Sequence, residues 1–160
     1  LRIAAVLLAA VLGLRYFSNS WFSREDSTLA AQIVDAHLRS LQPGHLVDVV
    51  SSDQHTVKPW FDGKLEFAPP VRDFAEEGFP LQGGRLDALQ GRTVAAIIYG
   101  RRKHEVNLFI YPSARADAAP LSGEHLGYKW VHWKKSGMEF WLVSDTTADD
   151  LLQLQQLLAK

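Results

Sequence analysis

The feature that most constrains how this chain can fold is a train of strand-like runs, punctuated by glycine turns, across its second half. Arg85 to Gln90, Thr93 to Tyr99 and His104 to Tyr111 are rich in aliphatic and aromatic residues, and Gln90-Gly91 and Gly100-Arg101-Arg102-Lys103 separate them. Both separators are hairpin turn sequences, so the three runs predict an antiparallel meander. A second pair, Gly127 to Lys134 and Met138 to Ser144, flanks Lys135-Ser136-Gly137. Successive strand residues point to opposite faces, so Tyr128, Trp130 and His132 share one face while Lys129, Val131 and Trp133 share the other.

Helical patterns stand at both ends of this region. Ala30, Val34, His37, Leu38 and Leu41 recur at helical spacing, with Asp26 or Ser27 able to cap the start and Pro43-Gly44 ending the run. At the other end Thr147 and Asp150 fit a capping box, and Leu151, Leu154 and Leu158 line one face. Val47 to Val50 reads as a short strand. From Ser51 to Gly84 the chain is rich in Pro and Gly yet carries Trp60, Phe61, Leu65, Phe67, Phe74 and Phe79, which need burial. That combination predicts an ordered, irregular excursion, and Gln82-Gly83-Gly84-Arg85, with no helix after it, leads into a strand and is no phosphate loop. The expected architecture is α+β: an antiparallel sheet of about five to six strands in hairpins, helices at both ends gathered on one face, and an N-terminal membrane-helix remnant.

That remnant is Leu1 to Leu14, apolar except for Arg2 and followed by Tyr16, Phe17 and Trp21 where an interfacial aromatic belt would lie. A full crossing takes about 20 apolar residues, so the run reads as the end of a longer membrane helix. A signal-peptide hydrophobic region and a buried helix are the alternatives. The expected division is residues 1–17 membrane helix, 18–26 linker and 27–160 folded domain.

Composition narrows the chemistry. A net charge of -1 gives no general reason to bind nucleic acid. Without cysteine there are no disulfides, thiolate chemistry or sulfur-ligated zinc. The six histidines form no HExxH or helical pair, so neither metal nor cofactor is expected. Ser51, Ser52, Asp53 and His55 place a hydroxyl, a carboxylate and an imidazole close in sequence, but no GxSxG elbow occurs. Asp53 is better read as the cap of a short helical turn entered through Val57 to Phe61, with Pro59 in its first turn. Arg101, Arg102 and Lys103 read as a solvated turn, with contact to a negatively charged partner surface as the alternative. Strand positions on both faces of the last hairpin carry aromatics, so either both faces are covered or an aromatic patch is exposed for binding. For a partner or ligand contact the segment Asp53 to Lys64 stands out, where His55, Lys58, Trp60 and Lys64 set polar groups beside an aromatic. The alternative is a Pro-stiffened loop with Trp60 in the core and both lysines solvated.

The strings VVSSDQHTVKPWFDGKLEFAPPV (Val49 to Val71) and FPLQGGRLDALQGRTVAAIIYGRRKHEVNLFIYP (Phe79 to Pro112) resemble the C-terminal region of the transmembrane anti-sigma factors of proteobacteria. Gly127-Tyr128, His132-Trp133, Gly137 and Val143-Ser144-Asp145 before a leucine-rich helix are similar too. The resemblance implies a non-enzymatic regulator of an extracytoplasmic-function sigma factor, held in the bacterial inner membrane by one helix with this domain periplasmic. It implies a sigma factor as partner through a cytoplasmic domain absent from this chain, the membrane, and a periplasmic protein or protease, with no direct nucleic-acid contact. Many relatives carry a His-x3-Cys-x2-Cys zinc motif in that cytoplasmic part; no such motif is present here. Two other classes stay open: a small periplasmic hydrolase using Asp53 and His55, and a membrane-anchored carrier with a tryptophan-lined pocket.

Overall fold

A computed structural model describes residues 24–160. The expected membrane segment and residues 18–23 of the expected linker lie outside the described residues. The elements are α1 (Arg24–Ser40), β1 (Val49–Val50), α2 (Gln54–Trp60), a 3-10 turn (Ala75–Glu77), β2 (Leu81–Leu89), β3 (Arg92–Arg101), β4 (His104–Pro112), β5 (Ala118–His125), β6 (Tyr128–Lys135), β7 (Met138–Ser144) and α3 (Ala148–Leu158). The strands form one antiparallel sheet of seven, ordered β1-β2-β3-β4-β7-β6-β5. The fold is therefore α+β as expected, with more strands than the hairpin count suggested.

Three of the turns share one chemistry. Gln90-Gly91, Leu126-Gly127 and Ser136-Gly137 each place two successive residues at positive φ, 51° and 76°, 52° and 83°, and 53° and 76°. These are the mirror-image turns whose twist matches paired strands, and glycine takes the second position without steric cost. The fourth hairpin departs from the expected turn Gly100 to Lys103. Gly100 and Arg101 remain in β3, paired with Glu105 and His104, and only Arg102, at φ 55°, takes the left-handed conformation.

The helices do not gather on one face. Leu29, Ala30, Ile33, Val34 and Ala36 of α1 cover one face, against Val94, Ala96, Ile98, Phe109, Tyr111, Trp130, Trp141 and Val143. Val57, Phe61, Val71, Phe74 and Phe79 of the excursion, with Leu151 and Leu154 of α3, cover the other. The reason lies in the central strands: Val94 to Tyr99 of β3 is fully buried along its length, so residues pointing both ways need cover. The dense aromatic set is consumed by these two cores, and among the described residues the large apolar side chains left exposed are Leu41, Val50, Leu121 and Leu126.

Local expectations divide. Thr147 caps α3 by accepting from the Asp150 N–H at 3.2 Å. Asp53 caps α2, accepting from the His55 N–H at 2.8 Å, but α2 starts at Gln54, so Pro59 falls in its last turn and not its first. Asp26 and Ser27 lie inside α1 and not at its start, because the helix already runs from Arg24.

Candidate functional site

Three constellations of polar side chains compete for a functional role. The first is the segment expected to bind. Trp60 is half-buried, packing against the α3-side core with its ring edge-on to Phe61 at 5.1 Å. Lys64 folds back over it: Nζ donates to the Trp60 carbonyl at 2.7 Å and stands 4.6 Å from the ring centroid. His55 and Lys58 are exposed and line a separate shallow depression of about 190 Å³ with Gln54, Pro59 and Val71. The four residues thus split into two pairs, of which only His55 and Lys58 line that depression. Nearby, the Ser51 hydroxyl accepts from the Asp53 N–H at 3.0 Å and the Asp53 carboxylate is engaged as the cap. Both groups serve the backbone, and no Ser-His-Asp relay forms among them.

The second constellation is a buried pair beneath the last hairpin. His132 Nε2 and Glu139 Oε1 are 2.8 Å apart with both side chains 5% exposed, and the imidazole stacks on Trp141 at 4.0 Å and 13°. Trp141 Nε1 donates to the Tyr111 hydroxyl at 3.1 Å. Burial pushes Glu139 upward, but the His132 hydrogen bond and charge, with Ser113 and Lys134, bring its carboxyl down to about 2. Glu139 also borders a cleft of about 240 Å³ with Arg92, Tyr111, Ser113 and Arg115. Arg92 stacks on Tyr111 at 4.3 Å.

The third lies where α1 ends on the sheet. His37 and Ser40, in and just after the apolar stripe, are 1% and 2% exposed and face Arg85 of β2, itself 4% exposed, and Asn107 of β4. The Arg85 guanidinium is held by the Asp87 carboxylate at 2.8 Å and by the Leu46 carbonyl at 3.1 Å. The Asn107 amide oxygen faces it at 2.9 and 3.2 Å, since a nitrogen there would set donors against donors. The Ser40 hydroxyl donates to the His37 carbonyl at 2.7 Å, and the imidazole meets the Tyr128 ring edge-on at 5.3 Å. Burial and then the Arg85 charge lower the His37 pKa to about 4, with Asn107 and Asp145 offsetting only part. Beside this strip a cleft of about 380 Å³ opens between α1 and β2, lined by Arg39, Ser40, His45, Asp48, Arg85 and Asp87 among others.

The basic triplet is likewise divided. Arg101 is no solvated turn residue: its guanidinium pairs with Asp150 at 2.6 Å, donates to the Gly78 carbonyl at 3.3 Å and lies 4.5 Å from the Phe79 ring centroid. It ties the β3–β4 hairpin to α3 and the excursion. Burial raises Asp150, yet hydrogen bonds from Arg101, Thr146 and Thr147 and the Arg101 charge hold it at about 2. Arg102 and Lys103 are exposed.

Sequence reading missed the α1 strip entirely. His37 was visible as part of the apolar stripe, but its partner Arg85 stands far along the chain and only the fold brings them together. Among the described residues no group of three or more His, Asp or Glu could hold a metal ion. No helix there is long and apolar enough to cross a membrane.

Fold and constellations define a class: an α+β domain with a seven-stranded antiparallel sheet covered on both faces, whose first described helix is pinned by a buried polar strip. Comparison with known protein families, with curated proteins and with solved structures returns no match.

Proposed function

We propose that this chain is the extracytoplasmic sensing or relaying domain of a membrane-anchored anti-sigma factor, a regulator and not an enzyme. The reading places the domain on the periplasmic side of the bacterial inner membrane, with the sigma factor bound by a cytoplasmic part outside this chain. It rests on the resemblance carried by Val49 to Val71 and Phe79 to Pro112. One structural observation supports it above the others: α1, the first described element after the apolar N-terminal run, lies across a full sheet face and ends on the charged cleft of about 380 Å³. A periplasmic ligand, protein or protease that prefers one state of that junction would shift the docking of the helix that leads toward the membrane. A binder with no such preference would shift nothing.

The carrier reading gains no support from cavity chemistry, since tryptophan enters the lining of just one of the clefts described, the roughly 260 Å³ one beside β5. The test is a flexible insertion at residues 18–24 in the full-length protein, assayed by sigma-dependent transcription. A lost signal response with sigma binding intact is expected. An unchanged response overturns rigid coupling, and failure of the full-length protein to co-purify with any sigma factor of its host overturns the functional reading itself.

A further inference from the structure

The two buried histidines of the described domain have opposite surroundings. His132 has a carboxylate, Glu139, at 2.8 Å. His37 has a guanidinium. The groups facing it are Arg85 from β2, Asn107 from β4, the Tyr128 ring from β6 and the Asp145 carboxylate just beyond β7. Asp145 is already engaged at 2.8 Å by His104, and Arg85 is locked in place by Asp87 and Leu46. From β7 itself the α1 face receives the apolar Trp141 and Val143.

We propose that His37 is an acid-sensitive latch: protonation of its imidazole sets a second cation beside the fixed Arg85 guanidinium in a water-poor interface and releases the C-terminal part of α1 from the sheet. Toward its N-terminal end α1 is held by Leu29, Ala30, Ile33 and Val34 on the sheet and by an ion pair of Asp26 with Arg115 at 3.6 Å, so the polar strip around His37 is the ionisable part of the docking at the C-terminal end. Released, His37 regains water and its ordinary pKa of 6.5, whereas docked it is held at about 4. The sign follows: between these values the released state binds the proton and the docked state does not, so acidification favours release. From about pH 7.5 to about pH 5 the docking equilibrium shifts about thirtyfold toward the released helix. The input this assigns, acidification of the compartment around the domain, rests on the functional reading above for its consequence at the sigma factor. The latch itself does not.

Because the chain contains no cysteine, two introduced ones report without interference. Asp35→Cys on α1 and Lys103→Cys in the β3–β4 turn are both at exposed positions. Spin-labelled there, the full chain in nanodiscs of uncharged lipid is measured by electron-electron distance spectroscopy at both pH values, with near-ultraviolet circular dichroism of the tryptophans alongside. The expected result is a longer-distance population appearing at the lower pH while the tryptophan signal persists, and its absence in both His37→Gln and His37→Phe. A response retained in His37→Gln overturns the latch. So does loss of the tryptophan signal at the same pH, which would mean that the whole sheet unfolds. In cells, sigma-dependent transcription from wild type and His37→Gln is compared at the same two pH values. A latch that opens in the purified chain while transcription ignores the substitution supports the latch and overturns its assignment to sigma-factor control.

Discussion

At the scale of single residues, what matters here is which partner a buried charge is given. His132 and Glu139 satisfy one another, with Trp141 stacked on the imidazole and Tyr111 beneath the indole. Replacing Glu139 by Gln keeps a hydrogen-bonding group but removes the negative charge beside the His132 ring. The expected cost is about 1–3 kcal/mol at neutral pH, read from urea unfolding midpoints. A neutral outcome would mean that the Glu139 charge contributes nothing and that a hydrogen bond to the His132 ring suffices. Arg101 and Asp150 show how far a side chain's surroundings can differ from its sequence context. A guanidinium expected in a hairpin turn instead sits on the Phe79 ring and joins α3 to the sheet, because a turn two residues shorter leaves Gly100 and Arg101 on the strand.

Elements meet through several glycines where a side chain would collide, two of them against aromatic rings. A Cβ on Gly84 would lie 2.8 Å from Phe61, the residue that anchors the end of α2 on β2. One on Gly123 would lie 2.2 Å from the Trp130 ring. Gly123→Ala is therefore expected to cost about 1–3 kcal/mol through displaced packing, with an altered near-ultraviolet signal from Trp130. Unchanged stability and spectrum would show that β5 is held by its backbone pairing alone. This contact also explains why β5 escaped the sequence reading. Ala118 to His125 contains Pro120 and Gly123, is mostly exposed and lacks an alternating apolar pattern. It is an edge strand, and such strands use proline and irregular pairing to discourage further strand addition. Its register slips between Ala118 and Leu121. The one local signal was Leu126-Gly127, the same two-residue turn sequence type as Gln90-Gly91 and Ser136-Gly137.

For the molecule as a whole, stability against acid is expected to fall in two windows. His37, lowered to about 4 from 6.5, binds no proton in the fold where the unfolded chain does, so its contribution is lost as pH falls from 6.5 toward 4. This amounts to about 3 kcal/mol at most. Glu139 and Asp150, each at about 2 against 4.5 and 3.8, are ionised in the fold while the unfolded chain takes up protons. Their contribution is complete above the unfolded values and disappears as pH falls from those values toward 2. Urea midpoints recorded across pH should show both declines, His37→Gln losing the upper and Glu139→Gln weakening the lower. A single decline below pH of about 4.5 in wild type would remove His37 from the account.

Much of the architecture was determined by sequence alone, for a local reason. The Gly-containing turns permit only tight antiparallel connections, Asp53 and Thr147 carry capping side chains, and the unbroken apolar run of β3 demands cover on both sides of the sheet. That last demand was legible in Val94 to Tyr99, although the expectation had the helices on one face. The tertiary structure decided which charges meet. His37 with Arg85, His132 with Glu139 and Arg101 with Asp150 are pairings across strands and helices, and electrostatic consequence depends on distance and burial, which spacing along a chain does not encode. The same holds for the expected binding residues: His55, Lys58, Trp60 and Lys64 lie close in sequence, yet the capped turn of α2 and the folding back of Lys64 onto the indole part them into two pairs. Local propensity set where the elements begin and turn. Packing of distant segments on one sheet set which side chains have lost their water, and with it where this protein can respond.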